Sequence, residues 1–173
     1  SIFKEGINSQ FYMNTSSIAT ATRIIQQYKE HFGTSRSPRL FRSPGRINLI
    51  GEHTDYNDGF VMPAAIDKAI YFAIAPREDD QIILHSADFE QTYTTTIDAL
   101  SQPSIAWPKY QLGVVEQLQK QGHTIKGFQA TFGGDVPSGA GLSSSAALEC
   151  CLMFALSSLN NLGLDRKTIA VLS

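Results

Sequence analysis

Hydrophobic positions divide the chain into helix-like and strand-like stretches. Ile18, Ile24, Ile25 and Tyr28 recur near helical spacing. They lie between Thr15 or Ser16, either of which can cap a helix, and Gly33, which can end it. From Leu40 to Ile97 the texture shortens into β-like runs: "LFRSPGRINLIG", which Pro44-Gly45 is expected to break, then "KAIYFAIAPR", "QIILHSA" and "QTYTTTID". Asn57-Asp58-Gly59 marks a turn between "NLIG" and "FVMPAAI". Val114, Val115 and Leu118 predict a helix over Trp107 to Lys120, stopped by Gly122. "IKGFQATFGG" predicts a strand with Ile125, Phe128 and Ala130 alternating, and a helix follows from about Ser144 to Leu159. Asp165 then caps "RKTIAVLS", about two turns of helix that are marginal alone. Strands and helices mix without strict alternation, which predicts an α+β fold with a mixed sheet and helices. No internal repeat or low-complexity segment interrupts it.

Composition narrows the class. With 42% hydrophobic and 17% charged residues, the chain of 173 residues is too apolar for disorder and long enough for one sizeable core. A formal net charge of −2 provides no basic field for nucleic acid or an anionic membrane, and neither is expected as a partner. The apolar run from Cys150 to Leu159 is too short to span a bilayer. Lys4 and Glu5 interrupt the N-terminus before any apolar signal region, and Met13 sets residues 1–13 apart as an expected extension. Cys150 and Cys151 are sequence neighbours, a poor geometry for a disulfide and too few ligands for zinc; core packing in a reducing, cytoplasmic compartment is expected.

Two glycine-rich elements carry candidate chemistry. "GDVPSGAGLSSSAAL", Gly134 to Leu148, is not a P-loop, because Ala140 stands where the lysine is needed. It lacks the flanking glycines of a nucleophile elbow and the third glycine of a dinucleotide fingerprint. Gly139 and Gly141 nevertheless allow close backbone approach, and Ser143, Ser144 and Ser145 stand at a helix start, where free N–H groups favour an anion. No acidic side chain lies between Val136 and Leu148. A phosphate site and an ordinary serine-capped helix both fit these residues. The second element, "SPGRINLIGEHTDYNDG", Ser43 to Gly59, gathers charged, histidine and amide side chains around apolar "INLI". Thr54, Tyr56 and Ala65 fall where a calcium EF-hand aligned on Gly59 needs oxygen ligands, and Glu52-His53 is not a zinc-protease pair. A solvated surface turn is the alternative.

Together the elements resemble one family. "SPGRINLIGEHTDYNDGFVMPAAI" is similar to the galactokinase signature, and "PSGAGLSSSAALE" to the second motif of the GHMP sugar and mevalonate kinases. The resemblance covers most of the chain from Leu40 onward. It implies a GHMP-kinase N-terminal domain (ribosomal protein S5 domain 2-like) over residues 14–173, and ATP-dependent phosphorylation of the anomeric hydroxyl of galactose. Under it, Gly139, Ala140, Gly141, Leu142, Ser143, Ser144 and Ser145 form the ATP-phosphate loop, with Ser145 a Mg²⁺ ligand and Ser86 a further nucleotide contact. Glu52, His53, Thr54 and Asp55 would grip the sugar, and Arg46 would be the active-site arginine. Trp107 and Tyr110 lie in a segment similar to the adenine-side helix, or are core aromatics.

The family's catalytic aspartate, second magnesium carboxylate, sugar-binding tyrosine and third glycine-rich motif have no match here and are expected beyond Ser173, in a C-terminal lobe. By itself this segment is therefore expected to be inactive or nearly so. A non-catalytic sugar and ATP sensor, or a kinase for N-acetylgalactosamine or a related sugar, are the alternatives.

Overall fold

A computed structural model describes residues 14–48, 62–100, 103–137 and 142–173. The expected extension at 1–13 and the Asn57–Gly59 turn lie outside the described residues. The elements run α1 (Thr15–Phe32), β1 (Arg39–Asn48), β2 (Pro63–Pro76), β3 (Gln81–Ser86), β4 (Gln91–Thr96), α2 (Pro108–Lys120), β5 (Phe128–Gly134), α3 (Ser144–Leu159) and α4 (Arg166–Leu172).

The strands form one mixed sheet in the order β1-β2-β5-β3-β4. Among the described residues only the β3–β5 pair is parallel. Helices cover both faces, and β2 explains why. Its run from Ala69 to Ala75 is buried at every position, as a strand sandwiched between two layers must be. Ile70, Phe72 and Ile74 point to the face that α2 and α3 cover, where Phe128, Ala130, Phe132, Leu152 and Leu156 join them. Tyr71 and the small Ala69, Ala73 and Ala75 point to the other face, against Ala21, Ile24 and Tyr28 of α1. Tyr28 is fully buried, and its hydroxyl accepts a 2.8 Å hydrogen bond from Gln129 Nε2, which removes the cost of burying the phenol. Burial raises the Tyr28 pKa, and the Gln129 bond opposes the rise.

Four local expectations change. Helix α1 is capped by Asn14, whose side chain accepts from the Ser17 N–H at 2.7 Å, and not by Thr15 or Ser16; asparagine is an equally good cap one position earlier. Gly33 does end it, at φ 75°. Pro44-Gly45 does not break β1, which continues through a register shift between Pro44 and Arg46. As an edge strand, β1 tolerates a residue without an N–H and a bulge beside it. Trp107 precedes α2, which starts at Pro108, a favoured first helical position. Strand β5 starts at Phe128 rather than Ile125. Helix α3 spans Ser144–Leu159 as the sequence predicts, and Asp165 caps α4 by accepting from the Thr168 N–H.

Both cysteines are free. Cys151 is buried, its Sγ 3.7 Å from the Ile70 carbonyl, and burial pushes its thiol pKa far up, so it packs as a small apolar residue. Among the described residues no helix is long and apolar enough to cross a membrane.

Candidate active site

The two glycine-rich elements meet through their backbones. After the bulge in β1, the Arg46 N–H donates to the Leu142 carbonyl at 3.1 Å. Gly45 leaves little room beside the contact: a Cβ there would lie 3.1 Å from the Leu142 oxygen and 3.2 Å from Ile66 Cδ1. The register shift therefore brings the exposed Arg46 beside the entry to α3.

That entry is unusual. Ser143, the residue ahead of α3, adopts the left-handed conformation at φ 54° and ψ 43°, and makes no side-chain capping bond. A non-glycine residue held there stores strain, a feature that clusters at ligand sites. The first helical bond runs from the Ala147 N–H to the Ser143 carbonyl, 2.9 Å. Helix geometry thus leaves the N–H groups of Ser144, Ser145 and Ala146 without intrahelical acceptors, at the positive end of a helix of 16 residues. Its first turn carries no acid. Ser145 is exposed, while Ser143 and Ser144 are half-buried. Glu149 follows one turn on, and burial raises its pKa.

Upstream, the chain is clasped as it leaves β5. The Asp135 carboxylate accepts from the Ala69 N–H at 2.8 Å, while the Asp135 N–H donates to the Ala69 carbonyl at 3.2 Å. Lys68 Nζ, 3.3 Å from the other carboxylate oxygen, balances the charge. A Cβ on Gly134 would stand 2.3 Å from the Ala69 carbonyl oxygen, so only glycine fits. Asp135 is a residue of this region that the sequence analysis does not single out. The "GGD" step was the available signal, two glycines allowing close approach and a carboxylate able to take the N–H they expose.

The other expected site residues fall variously. Ser86 ends β3, 1% exposed, and its hydroxyl accepts from the Phe89 N–H at 3.3 Å, so it already serves its own turn. Trp107 packs as a core aromatic: its ring lies 5.5 Å from Phe132 and 6.4 Å from Tyr93, and its Nε1 donates to Gln91 Oε1. Tyr110 is half exposed on the rim of a groove of about 250 Å³ between α2 and α3, with Lys109, Gly113, Gln117 and Glu149. Glu52, His53, Thr54 and Asp55, and Gly139, Ala140 and Gly141, lie outside the described residues.

Comparison with known proteins finds relatives of the chain in sequence and in fold. The galactokinase galactose-binding signature matches residues 26–76, and the model for the GHMP kinase N-terminal domain matches residues 109–173. A galactokinase of Roseiflexus sp. (strain RS-1) is 43% identical over 150 residues, which is 87% of this chain and 38% of that protein. The crystal structure of Lactococcus lactis galactokinase complexed with galactose superposes with a TM-score of 0.81 at 37% identity, over 86% of this chain and 39% of that one. Methanococcus jannaschii mevalonate kinase shares the fold, with a TM-score of 0.70 at 24% identity over 80% of this chain and 45% of its own. The chain thus spans about two fifths of the length of the galactokinases it matches.

Proposed function

Because this chain belongs to the galactokinases of the GHMP kinase superfamily, we propose that it forms the N-terminal, sugar- and nucleotide-phosphate-binding part of an enzyme that phosphorylates galactose at its anomeric hydroxyl, using ATP. The observation that carries this reading is the Arg46–Leu142 backbone bond, which supports it by joining strand β1 of the first motif to the entry of α3 in the second.

In the reaction, the anomeric oxygen forms a bond to the γ-phosphorus, the bond from that phosphorus to the β-γ bridging oxygen breaks, and the hydroxyl proton leaves. Such transfers need positioning and charge stabilisation more than covalent participation. The N–H groups of Ser144, Ser145 and Ala146, with the loop from Gly139, would hold the nucleotide's phosphates in place of a lysine. Arg46, permanently cationic and exposed beside the helix entry, would favour the sugar alkoxide and the charge that builds on the transferring group. Glu52, His53, Thr54 and Asp55 would orient ring hydroxyls, a recognition that rejects analogues lacking them. Buried Ser86 would support the nucleotide side through the turn it anchors.

A magnesium ion fits this donor set. It keeps several waters and borrows phosphate oxygens, so the exposed Ser145 hydroxyl suffices as one ligand. When bound, it would neutralise charge on the nucleotide. The proton acceptor and a second carboxylate ligand would come from a C-terminal lobe outside these residues, in a cytoplasmic enzyme whose free cysteines suit a reducing compartment.

The test uses the full-length protein that carries this sequence, with ATP, Mg²⁺ and a panel of sugars. Galactose-dependent ADP release, lost in Arg46→Ala, is expected. Binding of ATP and galactose without turnover would instead point to a sensor, and preference for N-acetylgalactosamine to another sugar kinase.

A further inference from the structure

Strand β5 changes partners at its end. The ladder with β3 closes with the Ala87 N–H donating to the Phe132 carbonyl at 2.8 Å. Beyond Ser86, β3 turns away, so the next donor on that side of β5, the Gly134 N–H, has no strand acceptor. Asp88 supplies one: its Oδ2 accepts from the Gly134 N–H at 3.1 Å. Its Oδ1 accepts from Arg23 Nη2 of α1 at 3.0 Å. Gly133 is shaped to this carboxylate, since a Cβ there would stand 3.0 Å from both of its oxygens and 3.1 Å from Ala87 Cβ. Gly134 and Asp135 are therefore held from two directions, by Asp88 on one side and Ala69 on the other. Each carboxylate at this root is paired with a cation, Arg23 or Lys68, which limits the negative field an anion would meet.

We propose that Asp88 is a positioning residue for the nucleotide-phosphate site. By engaging the Gly134 N–H it sets the direction in which β5 releases the chain toward the serines of α3, without touching the nucleotide. This rests on the functional reading above.

The experiment uses the full-length protein and measures both Michaelis constants together with calorimetric MgATP affinity. In Asp88→Ala, KM and Kd for MgATP rise about tenfold, the scale of one lost charge-assisted hydrogen bond, while KM for galactose stays within about twofold. Asp88→Asn retains an acceptor for the Gly134 N–H and restores most of the affinity. Unchanged MgATP affinity in Asp88→Ala, or an equal rise in both Michaelis constants, overturns the proposal. So does a lowered melting temperature with both constants intact. Should Asp88→Ala not fold, Gly133→Ala displaces the same carboxylate, and the same selective loss is expected; its absence is equally decisive. A wild-type protein that binds MgATP but does not turn over galactose refutes the kinase reading alone. One that binds no MgATP refutes both.

Discussion

Gly45→Ala tests the seam between the two motifs. The added methyl would sit 3.1 Å from the Leu142 carbonyl and 3.2 Å and 3.3 Å from Ile66 Cδ1 and Cγ1, all inside the 3.4 Å at which ordinary contact begins. The Ile66 side chain can rotate aside. The carbonyl can yield only by moving the backbone at the entry to α3, and a few tenths of an ångström lengthens the Arg46–Leu142 bond from 3.1 Å to the edge of hydrogen-bonding distance. Losing that bond costs about 1 kcal/mol, and residual overpacking raises the total to about 1–2 kcal/mol. Activity should suffer by a comparable amount. If the start of α3 holds the nucleotide phosphates as proposed, displacing it relative to Arg46 by this much should lower kcat/KM about tenfold. Urea unfolding and steady-state kinetics on the full-length protein read the two effects. Gly113→Ala is the stability control: nothing lies within 4 Å of its added methyl, and α2 should gain about 0.5–1 kcal/mol. A Gly45→Ala enzyme with wild-type unfolding and unchanged kcat/KM would show that the two motifs are not coupled through this contact.

Other outcomes follow from single features. The His85 ring stacks on His31 at 4.3 Å, and both rings bond the Thr92 hydroxyl; burial first and the His31 charge second lower the His85 pKa from 6.5, while Glu90 opposes them. The folded state thus disfavours the protonated ring, so stability is full above pH 6.5 and is lost as pH falls through the lowered value. His85→Asn should flatten that acid slope in urea titrations at a series of pH values, and an unaltered slope would exclude His85 as its source. Asn14→Ala removes the α1 cap and should cost about 1 kcal/mol in urea unfolding, with kinetics unaffected. Leu152→Ala empties a fully buried position between α3 and the sheet, and unfolding should report a loss of about 2–5 kcal/mol. Ser145→Ala leaves the Ser145 N–H in place but removes its hydroxyl, so the concentration of Mg²⁺ giving half-maximal rate should rise while KM for galactose holds.

How much of this was readable from the chain depends on the range of the physics involved. Helix α3 was legible to the residue because its signals are local: serines at the start, an apolar body and polar residues at the end. The apolar run of β2 announced a strand, although not that α1 would cover the alanine face and α3 the phenylalanine face. Strand order was hidden, because β5 inserts between β2 and β3 by pairing residues far apart in sequence, and no local pattern encodes that choice. Pro44-Gly45 was misread for the same reason: whether a proline ends a strand or merely bulges it depends on its being at an edge, a property of the sheet. At the site, motif chemistry pointed to serines and glycines, and resemblance to a family assigned their roles. The contacts that join the pieces were silent, because Arg46 to Leu142 is backbone to backbone and would leave the same trace with almost any side chains. What the glycines do show is where such contacts must lie: Gly45, Gly133 and Gly134 each mark a place where a methyl would strike a carbonyl or carboxylate oxygen. In this domain, glycine beside an unexplained aspartate is a more useful pointer to the architecture of the loop than the serines themselves.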